Sequence, residues 1–205
     1  TGLNNNLYRV VVSETSNLCP ATSQSAQLTV IPNPVMTVND PAGVCAPNGV
    51  DITLPAVTAG TTGAVTYSYW EDAGATTPIA DATQVGVAGT YYIRGENGTC
   101  TDIEPVTVII NAAPTLTTTP TITLCRGEDL DLTVNSLETG VTYTWSSVNG
   151  YSSNQQNPTI PSVNETSDAG LYTVTGTLNG CTATATTTVT INVPPTAVID
   201  LIPSL

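Results

Sequence analysis

The sequence predicts an all-β chain assembled from tandem β-sandwich modules with a period of about 81 residues. The first observation behind this is composition. Thr and Val are abundant, and only 3 Lys+Arg and 16 Asp+Glu occur among 205 residues. Gly, Asn and Pro punctuate the chain at regular intervals, as turns do between short strands. The second is period-2 alternation of apolar and polar residues, clearest in "CTATATTTVTINV" (181–193). The third is the cysteine spacing: Cys19, Cys100 and Cys181 fall at equal intervals, and Cys45 and Cys125 are separated by the same interval to within one position. That period exceeds a solenoid unit and matches a sandwich of about seven strands.

Proline-bearing stretches mark the module boundaries. "IPNP" (31–34), "NAAP" (111–114) and "VPP" (193–195) each follow a strand-like run, where proline ends a hydrogen-bond ladder. Residues 1–32 then read as the last two strands of a partial module. Residues 35–112 and 115–194 read as two nearly complete modules, and 195–205 as the first strand of another. The chain is expected to be a window of a longer tandem array. Linkers of about three or four residues would keep neighbouring modules closely stacked.

In the second module the expected strands are 115–124 (kinked at Pro120), 130–135, 141–147, 157–163, 171–178 and 181–193. Val141, Tyr143 and Trp145 fall on one face of the third. In the first module they are 35–39, 50–57, 64–70, 77–80, 89–96 and 102–110.

The charge is −13, with no His, no Lys and three arginines, Arg9, Arg94 and Arg126. Such a chain cannot neutralise a run of phosphates, so nucleic-acid binding is excluded. An anionic membrane repels it, and no apolar run approaches the length of about 18 residues that a spanning helix needs. Missing His and Lys remove most general-base, Schiff-base and imidazole-metal chemistry. No nucleophile–base pair, phosphate loop or paired-carboxylate constellation stands out, and the chain reads as no enzyme. The acidic surplus suits an extracellular protein that resists edge-to-edge association.

Several stretches resemble immunoglobulin-like domains. "DAGLYTV" (168–174) resembles their tyrosine corner, with Tyr172 as the corner residue. "VAGTYYI" (87–93) offers Tyr91 without the preceding Asp, and "NLYRVVV" (6–12) offers Tyr8. "TYTWS" (142–146) resembles the strand that carries the core tryptophan, here Trp145. The same register in the first module places Tyr69 there and turns Trp70 outward, or re-aims it through a bulge. "CRGEDLDLTV" (125–134) with "LNGCTATA" (178–185) resembles the Ig-like and PKD-like repeats of large surface and secreted proteins of Bacteroidota. The resemblance covers the whole chain and implies tandem immunoglobulin-like β-sandwich modules. It also implies export, typically by type IX secretion, an extracellular or cell-surface place, and adhesive or spacer roles that include gliding motility. It carries no catalytic residue.

The expected function is therefore a stalk or filament segment of an extracellular adhesin. Its partners would be neighbouring modules of the same chain, with lateral self-assembly as a further option. The alternatives are a module that binds glycan or protein ligands and an accessory region of a secreted enzyme. One departure from antibody domains concerns their bridge between two core strands, since Val174 stands where the second cysteine would be.

Five cysteines in an exported, His-free chain point to disulfides. Pairing within modules gives Cys45–Cys100 and Cys125–Cys181, with Cys19 reaching upstream. In an immunoglobulin-like topology, however, those positions lie at opposite ends of the sandwich, about 20 Å apart along roughly six strand residues, whereas a bridge needs Cα atoms within about 7 Å. The alternative is Cys45–Cys181 across a module junction, with Cys19 and Cys100 reaching upstream and Cys125 downstream. Both remain open at this level.

Glu128, Asp129 and Asp131 are weak candidates for calcium, which takes about six to eight oxygen ligands. The first module offers only Asp51 in the matching stretch. No other cofactor is expected. Trp70 with Glu71 and Asp72 is a candidate glycan-stacking platform, against a packed strand residue. Asn97 and Asn164 head Asn-x-Thr sequons that read as coincidence.

Overall fold

A computed structural model describes residues 5–12, 21–63 and 65–195. Residues 1–4, 13–20, 64 and 196–205 lie outside the described residues, and with them Cys19 and the strand expected at 195–205. The strands in chain order are β1 (Leu7–Tyr8), β2 (Val11–Val12), β3 (Ala21–Thr22), β4 (Ala26–Gln27), β5 (Val44–Cys45) and β6 (Thr66–Trp70). They continue with β7 (Gly89–Asn97), β8 (Cys100–Val108), β9 (Ile110–Asn111), β10 (Leu116–Thr118), β11 (Thr121–Cys125) and β12 (Leu130–Asp131). The last six are β13 (Val134–Ser136), β14 (Thr142–Ser147), β15 (Ser152–Ser153), β16 (Thr159–Ile160), β17 (Gly170–Leu178) and β18 (Cys181–Asn192). Among the described residues no helix is long and apolar enough to cross a membrane.

The chain divides into two compact units. One holds residues 1–42 and 49–109; the other holds 43–48 and 110–205. The short segment 43–48, which the sequence places inside the 35–112 repeat, thus belongs to the second unit. It is held there by parallel pairing of Val44 with Ile110 and Cys45 with Asn111.

The second unit shows most plainly how its sequence makes strands. Its main sheet has the order β11-β18-β17-β14-β15. A smaller layer comprises the pairs β10-β13 and β12-β16. Pro120 explains why one expected strand becomes two. It has no N–H to give a ladder, and its carbonyl instead accepts from Thr188 N at 2.9 Å. Before it, β10 runs antiparallel to β13; after it, β11 runs parallel to β18. The alternation in β18 turns Cys181, Thr187, Val189 and Ile191 inward and the intervening threonines outward. The core joins Leu130, Leu132, Val134, Trp145, Val163, Tyr172, Val174, Val189 and Ile191.

Trp145 is fully buried, and its Nε1 donates to Gln156 O at 3.0 Å, so the indole N–H is not stranded in the apolar interior. Gln156 Nε2 donates in turn to Val134 O at 3.0 Å, and Asn157 Oδ1 accepts from Val134 N at 2.9 Å. One polar loop therefore serves both the tryptophan and a strand edge.

The first unit contains a three-stranded sheet, β6-β7-β8, and the pairs β1-β4 and β2-β3. Its sequence and structure part at 50–57. Val50 and Ile52 are buried, as alternation expects, yet only Val50 forms a bridge, to Val85. Asp51 Oδ1 accepts from Thr53 N at 2.8 Å and from Thr53 Oγ1 at 2.6 Å, a local bond that competes with ladder pairing. Pro55 then removes a donor, and 55–60 forms turns. The expected strand at 35–39 is likewise reduced to one bridge, Val35 with Thr62.

Two glycines of the same period share one packing role. Gly95 in β7 and Gly176 in β17 each face an apolar side chain near the start of their repeat, Met36 and Leu116. A Cβ at Gly176 would meet Leu116 Cδ2 at 2.9 Å and Val141 Cγ1 at 3.1 Å, and one at Gly95 would overlap Met36 Sδ.

Candidate functional site

The feature that sets this chain apart is a covalent one. Cys45 and Cys181 form a disulfide across 136 residues of sequence, with Cα atoms 5.6 Å apart, well inside the reach of a bridge. Each half is placed by local chemistry. Cys45 ends β5, and Ala46 N donates to Asn111 O at 2.9 Å, fixing the strand end beside β9. Cys181 opens β18 directly after a two-residue hairpin turn in which Leu178 faces Cys181. Asn179 and Gly180 occupy that turn with φ of 50° and 81°. Both are left-handed, which is why Asn-Gly suits the place. Cys181 is 1 % exposed, and its Sγ lies 3.7 Å from Asn111 O.

The remaining described cysteines, Cys100 and Cys125, are free thiols. The within-module pairing of Cys45 with Cys100 and of Cys125 with Cys181 is therefore absent from the structure. Cys100 opens β8 as Cys181 opens β18, after the turn Gly98-Thr99. Cys125 ends β11 as Cys45 ends β5.

The tyrosine positions differ in setting. Tyr172 Oη donates to Asp168 O at 2.9 Å, and its ring meets Tyr151 edge-on at 5.6 Å between centroids. Burial, with Asp168 and Tyr151 adding, pushes the Tyr172 hydroxyl up to about 12. Tyr91 Oη makes the same bond four residues back, to Val87 O at 3.0 Å, in a more open setting. Tyr8 lies in β1 and is 41 % exposed; the residue four before it lies outside the described residues. In β6, Tyr69 is half-buried, and burial followed by Tyr67 and Asp51 raises its hydroxyl. Trp70 is half-buried too, with Nε1 donating to Ser68 Oγ at 2.9 Å.

Of the acidic residues considered for calcium, Glu128 serves its own turn, whereas Asp129 and Asp131 hold the facing segment 159–162. Glu128 Oε2 accepts from Cys125 N at 2.7 Å, Asp129 Oδ1 accepts from Ser162 N at 2.9 Å, and Asp131 Oδ1 accepts from Thr159 Oγ1. Among the described residues no group of three or more His, Cys, Asp or Glu is placed to hold a metal. Next to Cys125, Arg126 Nε and Glu165 Oε2 form an ion pair at 3.1 Å. Asn164 spends its side chain on a turn, accepting from Thr166 N and Ser167 N at 3.0 Å each.

No family model matches the sequence, and no curated protein matches it. Solved structures do. Extracellular domains 3–5 of Drosophila OTK align over 92 % of this chain and 71 % of theirs, at 15 % identity and a TM-score of 0.53. The fold is immunoglobulin-like. An I-band fragment of titin, I67–I69, aligns over 91 % of this chain and 74 % of its own at 12 % identity and a TM-score of 0.49. Tyr172, with its hydroxyl bonded four residues back, and Trp145, fully buried, have the settings that a corner tyrosine and a core tryptophan have in immunoglobulin-like domains. Val174, which stands where antibody domains have the second cysteine of their core bridge, is buried in the core of this unit. This chain instead moves its covalent tie to the strand ends.

The sequence pointed to these cysteines by their period. It gave no notice of Gly95 and Gly176, whose signal was the same: they recur one full period apart.

Proposed function

We propose that the chain is a structural, non-catalytic segment of an extracellular adhesin-like protein, a stalk or filament of tandem immunoglobulin-like modules. The modules are residues 35–112 and 115–194, flanked by parts of two others at 1–32 and 195–205. The observation that carries the reading is the Cys45–Cys181 bridge, which ties residues of two successive sequence repeats together. A disulfide supports an oxidising, extracellular place. The cysteine-bearing motifs and the acidic, lysine-free surface support a bacterial cell-surface protein of the Bacteroidota kind, exported by type IX secretion and of use in gliding adhesion. Its immediate partners are neighbouring modules of the same chain, and no cofactor enters.

The bridge gives a spacer a specific mechanical property. Tension entering at one end passes from residue 45 to residue 181 through the sulfurs, and the residues between bear none of it. Pulling single molecules by their termini tests this. In oxidised chains 136 residues should never lengthen. Reductant should release about 450–490 Å of additional contour at ~3.3–3.6 Å per residue. Equal final extension with and without reductant would remove the mechanical basis of the proposal.

A further inference from the structure

We infer that Cys100 and Cys125 are the two complementary halves of the Cys45–Cys181 bridge, each built to be closed by another module of this same repeat. Cys125 would take a cysteine that opens a strand after a hairpin turn. Cys100 would take a cysteine that ends a strand beside the preceding module's last strand. The inference rests on the tandem-array reading above and extends it to named partners.

The argument is a comparison of positions within one chain. On the strand-end side, Cys45 pairs with Asn111 in parallel, and the next residue, Ala46, donates N–H to Asn111 O at 2.9 Å. Cys125 pairs with Asn192 in parallel, and the next residue, Arg126, donates N–H to Asn192 O at 2.9 Å. On the turn side, Cys181 Sγ lies 3.7 Å from Asn111 O, and Cys100 Sγ lies 3.8 Å from Ile31 O. Ile31 precedes Asn111 by the same interval, to within one position, as Cys100 precedes Cys181. The Cys100 thiol thus lies against Ile31, in the stretch that follows β4, as Cys181 lies against Asn111 in β9. In the one place where both halves occur within the described residues, they are bonded. Cys125 is exposed and Cys100 half-buried, so both can be reached by a partner.

Closure is thiol–disulfide exchange with a low-molecular-weight disulfide such as oxidised glutathione. The Cys125 thiolate attacks one sulfur, forming a mixed disulfide and releasing one glutathione thiolate. The partner cysteine's thiolate then displaces the second glutathione. Two protein thiols are oxidised, one glutathione disulfide is reduced to two thiols, and the two protons lost by the protein end on the glutathione sulfurs.

Two extended chains test the two halves. In the first, residues 1–192 are followed by residues 112–205, so a second copy of the Cys181 turn follows Cys125 at the spacing that separates Cys45 from Cys181, to within a residue. After refolding in a glutathione redox buffer, non-reducing peptide mapping should find the first Cys125 joined to the second copy of Cys181, alongside Cys45 joined to the first Cys181. Cys125→Ser in the first copy alone should leave the second copy of Cys181 alkylatable. In the second, residues 1–111 are followed by residues 32–205, and mapping should join the first Cys45 to the second copy of Cys100. Circular dichroism confirms that each added module is folded. Folded modules whose first Cys125 or second Cys100 stay fully alkylatable, or pair elsewhere, would overturn the inference. That result would leave the pulling experiment on the original chain unaffected, so failure of the pairing and failure of the stalk reading can be told apart.

Discussion

Replacing Tyr172 by Phe isolates one hydroxyl in a buried setting. The ring is 1 % exposed, and Phe can keep its edge contact with Tyr151. What goes is the 2.9 Å bond to Asp168 O. That carbonyl belongs to a turn already closed by Asn164 N on Asp168 Oδ2 at 2.9 Å and Asp168 N on Asn164 O at 3.1 Å, so little slack remains to find another donor. The lost bond and the under-satisfied carbonyl together should cost about 1–3 kcal/mol. Tyr91→Phe removes the same bond in the first unit, but its acceptor residue, Val87, is 69 % exposed. Water can replace the hydroxyl there, and the cost should stay below about 0.5–1 kcal/mol. The two tryptophans fall one in each unit, Trp70 and Trp145, so Trp70→Phe and Trp145→Phe backgrounds report each unit separately by fluorescence. Urea titrations at unchanged m give the two costs from the shift in midpoint. Tyr172→Phe should also remove one tyrosine ionisation raised above the ordinary range from a spectrophotometric titration. Equal costs for the two variants, or a larger one at Tyr91, would refute the claim that burial sets the strength of the corner.

Other expectations follow from the same geometry. The double substitution Cys45→Ser, Cys181→Ser opens a loop of 136 residues. On the chain-entropy account it should lower the stability of the second unit by up to about 5 kcal/mol in urea titration, and an unchanged midpoint would contradict that account. Gly176→Ala forces a Cβ against Leu116 and Val141 and should cost about 1–3 kcal/mol by the same titration. Acid should weaken the first unit below about pH 4. Asp72 accepts backbone bonds from Thr77, Thr76 and Gly74, and Asp81 accepts from Thr83, so both carboxyls are held below their ordinary range. Groups depressed in this way stabilise the fold at higher pH, and that contribution fades as pH falls through the folded value. Asp72→Asn should flatten the acid limb of a stability–pH curve. Chelation should leave the melting temperature of the second unit unchanged, because Glu128, Asp129 and Asp131 are already engaged with Cys125 N, Ser162 N and the Thr159 hydroxyl.

What the sequence alone determined is what short-range chemistry encodes. Alternation in 171–178 and 181–193 marks two long strands because side chains of a strand must face core and solvent in turn. Asn179-Gly180 marks the hairpin because only such residues accept left-handed φ cheaply. The recurrence of cysteine, tyrosine and turn motifs gives the period, and Trp145 is legible from its apolar neighbours on one strand face. At 50–57 the same reasoning found the buried residues and missed the backbone. There the Asp51–Thr53 bond and Pro55 outweigh the alternation of Val50 and Ile52.

Only the tertiary structure decided where segment 43–48 belongs and which sulfurs meet. Both pairings agree with the cysteine spacing, because spacing along the chain does not measure distance through space. The choice depends on β5 lying beside β9 and on the hairpin turn of β17 and β18 arriving at the same strand end. Residues far apart in sequence meet there through packing, and no local signal near either cysteine encodes that meeting.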